Sequence, residues 1–244
     1  MTYTVKLAPA MLALMGGAAF ADPLPYTHGE RSFEGYVATP EGTPRGTVLL
    51  VHDWDGLTDH ERAQADALAA DGYLAVALDL FGTDAVLDGF DDYRRETGAL
   101  YGDRTEFRAR MQAGADAAAG LEGAGDMVIA GYCFGGAAAL EAARAGLDMA
   151  GFVSFHGGLG TPEGQDYSAT PAPVMVLHGS ADPVSGMADL AALMDELQTA
   201  GVAHEARIFG GARHSFTVPS SNDWDPDANA GAQAAFREFL AARF

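Results

Sequence analysis

The stretch from Met127 to Ala145 restricts the possible folds of this chain more than any other. Met127-Val128-Ile129-Ala130 is short, apolar and partly β-branched, the composition of a buried strand. Ala137 to Ala145 is alanine-rich, with Leu140 and Glu141, the composition of a helix. Between them lies Gly131-Tyr132-Cys133-Phe134-Gly135-Gly136. A chain that passes from strand to helix so abruptly tolerates only small residues beside the turn, and the bend lifts the middle side chain clear of the backbone. The same bend aims the Phe134 N–H and the helix N-terminus at any negative charge that develops there. The middle residue is Cys133, the only cysteine of the chain. A lone cysteine is more often a small buried hydrophobe than a nucleophile, so the hexapeptide needs support from the rest of the sequence.

That support comes from the order of elements. After a Pro-containing lead from Asp22 to Tyr26, Ser32 to Thr39 alternates like an edge strand. Thr47 to Val51 is a continuous apolar run with the density of a central parallel strand, and it ends in the loop His52-Asp53-Trp54-Asp55-Gly56-Leu57. Asp59 is expected to cap a helix to about Ala70, closed by Asp71-Gly72. Tyr73 to Leu80 reads as the next strand, residues 84–102 show no regular pattern, and Thr105 begins a helix to about Ala119. Strands follow at Gly151 to Phe155, Val174 to Leu177 and Ala203 to Phe209, with helices at Met187 to Thr199 and Asn229 to Ala242. Strands alternating with helices predict an α/β fold, a mostly parallel central sheet with helices on both faces. Ligands of such sheets bind beyond the carboxyl ends of the strands. Asp53, Cys133, Asp182 and His214 all fall at those ends.

A thiol that is weak at its free pKa needs a base, and the base needs an orienting acid. Cys133, Asp182 and His214 supply the three in the chain order of α/β hydrolases. In this arrangement His214 shares a proton with Cys133, and Asp182 holds the imidazole in the useful tautomer. The expected oxyanion donors are the backbone N–H groups of Phe134 and Trp54. His52 and His178 read as histidines that hydrogen-bond loop backbone, His156 as a residue that could line the pocket, and Asp79 as a structural acid. Asn222 to Asp227 faintly resembles a calcium loop but lacks its glycine and terminal glutamate, so no metal and no cofactor are expected.

Two global features bound the setting. Lys6, the apolar stretch Leu7 to Ala18 and Ala19-Phe20-Ala21 together read as a secretory signal peptide, residues 1–21, cleaved after Ala21. Residues 22–244 then form a single domain, exported to a periplasm or secreted. An unpaired cysteine in an oxidising compartment calls for a reason such as catalysis or burial. The formal charge of −20 opposes nucleic acid and anionic membranes as partners. A monomer acting on a small molecule is expected.

With these residues in view, the chain resembles the dienelactone hydrolase family from about Phe33 to Phe239. The specific parts are Val51-His52-Asp53-Trp54-Asp55-Gly56-Leu57, Asp79-Leu80-Phe81-Gly82, Gly131 to Gly136, and Arg213-His214-Ser215-Phe216. The resemblance implies an α/β-hydrolase fold and a Cys133-His214-Asp182 triad cleaving an ester or lactone through a thioester. It also implies that Asp53 partners the resting thiol, where the family usually has a glutamate, and that Ser215 touches substrate. Thr83 and Val218 stand where the family's carboxylate-binding arginines would be, so the expected substrate is a neutral small ester or lactone. Two alternatives stay open: a binding or redox-sensing protein on the same fold, although no resolving cysteine is present, and a hydrolase of thioesters or small amides.

Overall fold

The structure, a computed structural model, describes residues 20–244. The predicted signal segment therefore lies outside the described residues, apart from Phe20 and Ala21 at the start of the first strand. The strands are β1 (Phe20–His28), β2 (Arg31–Thr39), β3 (Thr47–Val51), β4 (Leu74–Leu78), β5 (Met127–Tyr132), β6 (Gly151–Phe155), β7 (Val174–Gly179) and β8 (His204–Phe209). They form one sheet in the order β1-β2-β4-β3-β5-β6-β7-β8. β1 and β2 run antiparallel to their neighbours, and every pairing from β4 to β8 is parallel. The helices are α1 (Asp59–Ala70), α2 (Phe90–Gly102), α3 (Arg104–Ala119), α4 (Phe134–Ala145), α5 (Met187–Thr199) and α6 (Pro226–Ala241).

Alternation along each strand decides which helices cover which face. Leu49 and Val51 of β3 join Val76 and Ile129 in a core with Phe107 and Met111 of α3, Leu140 of α4 and Leu193 of α5. Val48 and Leu50 turn the other way, toward Leu68 of α1 and Phe236 and Leu240 of α6. All five β3 residues are fully buried, as the unbroken apolar run requires of a strand covered twice. Each such Leu or Val contributes about 1.5–3 kcal/mol of burial free energy.

Four sequence expectations need correction. The lead from Asp22 to Tyr26 is part of β1, which makes β2 the second strand and not the edge. Pro23 and Pro25, two residues apart, can both turn their missing N–H to the open edge, where prolines are tolerated. The cap of α1 is Thr58, one residue earlier than expected: its side chain accepts from the His60 N–H, and Glu61 reaches back to the Thr58 N–H in a capping box. Residues 90–102, read as irregular, are helix α2. Its polar sequence buries only Thr97 and Leu100, so hydrophobic periodicity was faint. The elbow helix also begins earlier, at Phe134 rather than Ala137.

Candidate active site

The turn between β5 and α4 is as tight as its sequence demands. A Cβ on Gly135 would lie 2.1 Å from the Val51 carbonyl oxygen, and one on Gly131 would lie 2.3 Å from the Gly135 backbone. Cys133 sits at φ 49°, ψ −105°, a conformation that costs an L-residue about 1–3 kcal/mol. It is held by the Cys133 N–H donating to the Phe155 carbonyl at 3.0 Å, while its own carbonyl accepts from the Ala137 N–H at 3.1 Å. The strain directs the thiol away from the sheet and toward the loops after β7 and β8. His156 and Ser215, which flank the same region, are the other described non-glycine residues with positive φ.

His214, in the loop after β8, brings Nε2 to 2.9 Å from Cys133 Sγ. Its Nδ1 lies 2.8 Å from Asp182 Oδ2. A carboxylate can only accept, so Nδ1 carries the proton and Nε2 is left as acceptor for the thiol. Asp182 in turn is fixed by the Val184 and Ser185 N–H groups, which donate to Oδ1 at 2.8 and 3.2 Å. Burial disfavours its charge, but the His214 hydrogen bond and these two amides outweigh that, and its pKa lies below the ordinary carboxylate range.

Asp53 approaches the thiol from the other side. Asp53 and Cys133 influence each other's ionisation, but the hydrogen bond that Sγ makes is to His214. Complete burial pushes the Asp53 pKa up to about 7; the Trp54 N–H and the thiol oppose the rise, and the nearby Asp55 and Glu61 carboxylates add to it. Burial also lifts the Cys133 thiol well above its usual value, with Asp53 contributing next, against the Phe134 N–H that favours the thiolate. The thiol thus has its hydrogen-bond partner in His214 Nε2 and a second neighbour, the buried Asp53 carboxyl, influencing its charge.

The two expected oxyanion donors differ. The Phe134 N–H favours the Cys133 thiolate. The Trp54 N–H donates at 2.5 Å to Oδ1 of Asp53, the residue before it. Glu61 supports this loop by accepting the Asp53 N–H at 3.3 Å, a second use of the capping carboxylate that the sequence did not reveal.

The other candidates have structural partners. His52 donates through Nδ1 to the Asp53 carbonyl at 2.6 Å and accepts the Leu80 N–H at Nε2. His178 Nε2 meets the Ser185 carbonyl, and the Asp79 carboxylate accepts the Phe81 and Gly82 N–H groups. His156 is fully buried behind the site: Nε2 meets Thr217 Oγ1 at 2.8 Å, and its ring stands 5.3 Å from that of His214. Burial, then the neighbouring His214, hold its pKa well below the usual value. Asp223 pairs with Arg213, and Asp225 caps α6. Among the described residues no group of three or more His, Cys, Asp or Glu side chains is arranged to hold a metal.

A cleft of about 480 Å³ opens over the thiol, with Cys133, His214 and Ser215 at its floor. Its walls include Phe90, Arg94, Thr97 and Tyr101 of α2, which the sequence reading missed. The signal was present: positions 90, 94, 97 and 101 share one face of a helix.

A doubly covered, mostly parallel sheet with a strained strand-to-helix turn at Cys133 is the α/β-hydrolase fold. The model of the dienelactone hydrolase family matches residues 33–244, and the chain belongs to that family. Membership makes it a hydrolase of the carboxylic-ester type and favours an enzyme over a non-catalytic protein on the same fold. The solved structure of m3DLH is 31% identical, covering 93% of this chain and all of its own, at a TM-score of 0.88. A dienelactone hydrolase-like promiscuous phosphotriesterase from metagenomic libraries is 32% identical with the same coverages, at a TM-score of 0.87. A putative dienelactone hydrolase from Klebsiella pneumoniae shares the fold at 20% identity and a TM-score of 0.73, over 92% of this chain and 99% of its own. No curated protein matches the chain.

Proposed function

We propose that the chain hydrolyses small neutral carboxylic esters or lactones by covalent catalysis, with Cys133 as nucleophile, His214 as base and Asp182 as its orienting acid. The observation that carries this reading is the continuous pair of hydrogen bonds, Sγ to Nε2 at 2.9 Å and Nδ1 to Oδ2 at 2.8 Å.

In the first half-reaction Sγ attacks the carbonyl carbon as its proton passes to His214 Nε2. The carbonyl π electrons move onto oxygen, and the Phe134 N–H stabilises that oxyanion. The Trp54 N–H joins it by exchanging Asp53 Oδ1 for the oxyanion. Collapse breaks the carbon–oxygen bond, the alcohol leaves with the proton from Nε2, and a thioester remains. His214 then deprotonates a water that attacks the thioester, releasing the acid and returning the proton to sulfur. With the Cys133 thiol raised well above its usual value and Asp53 pushed up to about 7, the resting sulfur keeps its proton until His214 takes it. Thr83 and Val218 offer no cation to a substrate carboxylate, and the charge of −20 repels one, which favours a neutral substrate.

The deciding test is hydrolysis of 4-nitrophenyl acetate before and after iodoacetamide treatment. Activity is expected to fall in step with labelling of Cys133, and activity that survives complete labelling overturns the assignment. An aryl phosphotriester belongs in the same assay because of the 32% identical phosphotriesterase. We further propose export through residues 1–21. N-terminal sequencing of the exported protein should start at Asp22, which would leave Asp22 to His28 of β1 in place.

A further inference from the structure

The cleft over Cys133 carries more aromatic surface than a short aliphatic ester requires. Phe90 is 55% exposed, Tyr101 38% and Val184 64%, and all three border this one cleft. Single exposed apolar side chains are ordinary, but a cluster of them around a reactive thiol marks a surface that a ligand covers. The rings are already set edge-to-face. Trp54 stands 4.7 Å from Phe90 at 90°, and Tyr101 stands 5.5 Å from Phe134 at 62°. Rings fixed in this way offer both edges and faces to a further ring. The Arg94 guanidinium lies 4.4 Å from the centre of Phe90 and steadies it at the rim. A volume of about 480 Å³ is enough for one ring and the ester it carries.

Building on the reading of Cys133 as nucleophile, we propose that the substrate carries a flat aromatic ring beside its scissile carbonyl, held by Phe90, Tyr101 and Trp54 as specificity-determining residues. An aliphatic ring of equal size fills the same volume but forgoes the edge-to-face contacts.

Two matched substrate pairs test this: methyl phenylacetate against methyl cyclohexylacetate, and benzyl acetate against cyclohexylmethyl acetate. One pair varies the acyl side and the other the alcohol side. A preference of about fivefold in kcat/KM for the aromatic member of either pair is expected. Phe90→Leu, at a half-exposed position where the fold tolerates change, should reduce that preference to about twofold or less. Equal rates within both pairs, or a preference untouched by both Phe90→Leu and Tyr101→Leu, would overturn the proposal. A second readout does not need turnover. 2-Phenylacetamide and N-benzylacetamide should slow iodoacetamide labelling of Cys133 at lower concentration than their cyclohexyl analogues. If labelling spares esterase activity, the nucleophile reading fails while this protection still reports on the ring.

Discussion

Asp182 and Asp53 occupy equivalent places and behave oppositely. Both follow parallel strands of the same sheet, both are buried, and both stand beside the Cys133–His214 pair. Burial pushes both carboxyls up. At Asp182 the imidazole N–H and two loop amides overcome burial, and the group stays ionised. At Asp53 one amide and the thiol face the added repulsion of Asp55 and Glu61, and the pKa rises to about 7. Deeper burial and fewer donors together raise Asp53, whereas shallower burial and more donors lower Asp182. The first acid can therefore anchor a base, and the second can exchange a proton at neutral pH.

The strongest way to break this comparison is to remove the pair that both acids serve. Cys133→Ala and His214→Ala should each lower kcat/KM by about 10⁴-fold or more while circular dichroism shows an intact fold. Retained turnover in either variant would leave neither acid a catalytic partner. Asp182→Asn should cost about 10³–10⁴-fold, because the imidazole loses its fixed tautomer. A loss below tenfold would mean that the loop amides alone position His214.

Stability should sharpen the contrast. Between about pH 4 and 7 the native state keeps a proton on Asp53 that the unfolded chain has released, so stability falls as pH rises through that window and levels off above it. Asp53→Asn removes this loss. The variant should gain about 2–4 kcal/mol over wild type at pH 8 and little at pH 4, measured by urea unfolding. Asp182 has the opposite sign: its contribution is present above the unfolded carboxylate pKa and is lost as pH falls through its lower folded value. The smallest effect concerns the thiol. Burial is the larger cause of its raised pKa and Asp53 the next, so Asp53→Asn should speed iodoacetamide labelling of Cys133 at pH 8. An unchanged rate would place the shift on burial and Asp182.

The sequence carried the architecture further than it carried the site's walls. β6 and α5 match their expected ranges, and β3 does too, because an uninterrupted apolar run or a helix closed by Gly201 is a local pattern. α2 escaped because Phe90, Arg94 and Tyr101 face the cleft and only Thr97 and Leu100 are buried, which leaves its hydrophobic period faint. β1 escaped because prolines argue against strands everywhere except an edge, and edges are assigned only by pairing.

Residue order by itself determined the parallel α/β plan, the glycine-bracketed turn at Cys133 and the succession of thiol, acid and histidine. Those follow from steric limits and periodicities that act over a few residues. Tertiary structure alone decided that Sγ meets Nε2 at 2.9 Å and Nδ1 meets Oδ2 at 2.8 Å, that the Trp54 N–H rests on Asp53, and that one carboxyl is held below the ordinary range while another is pushed up to about 7. Those depend on burial and on donors brought together from distant loops, and no local pattern encodes either.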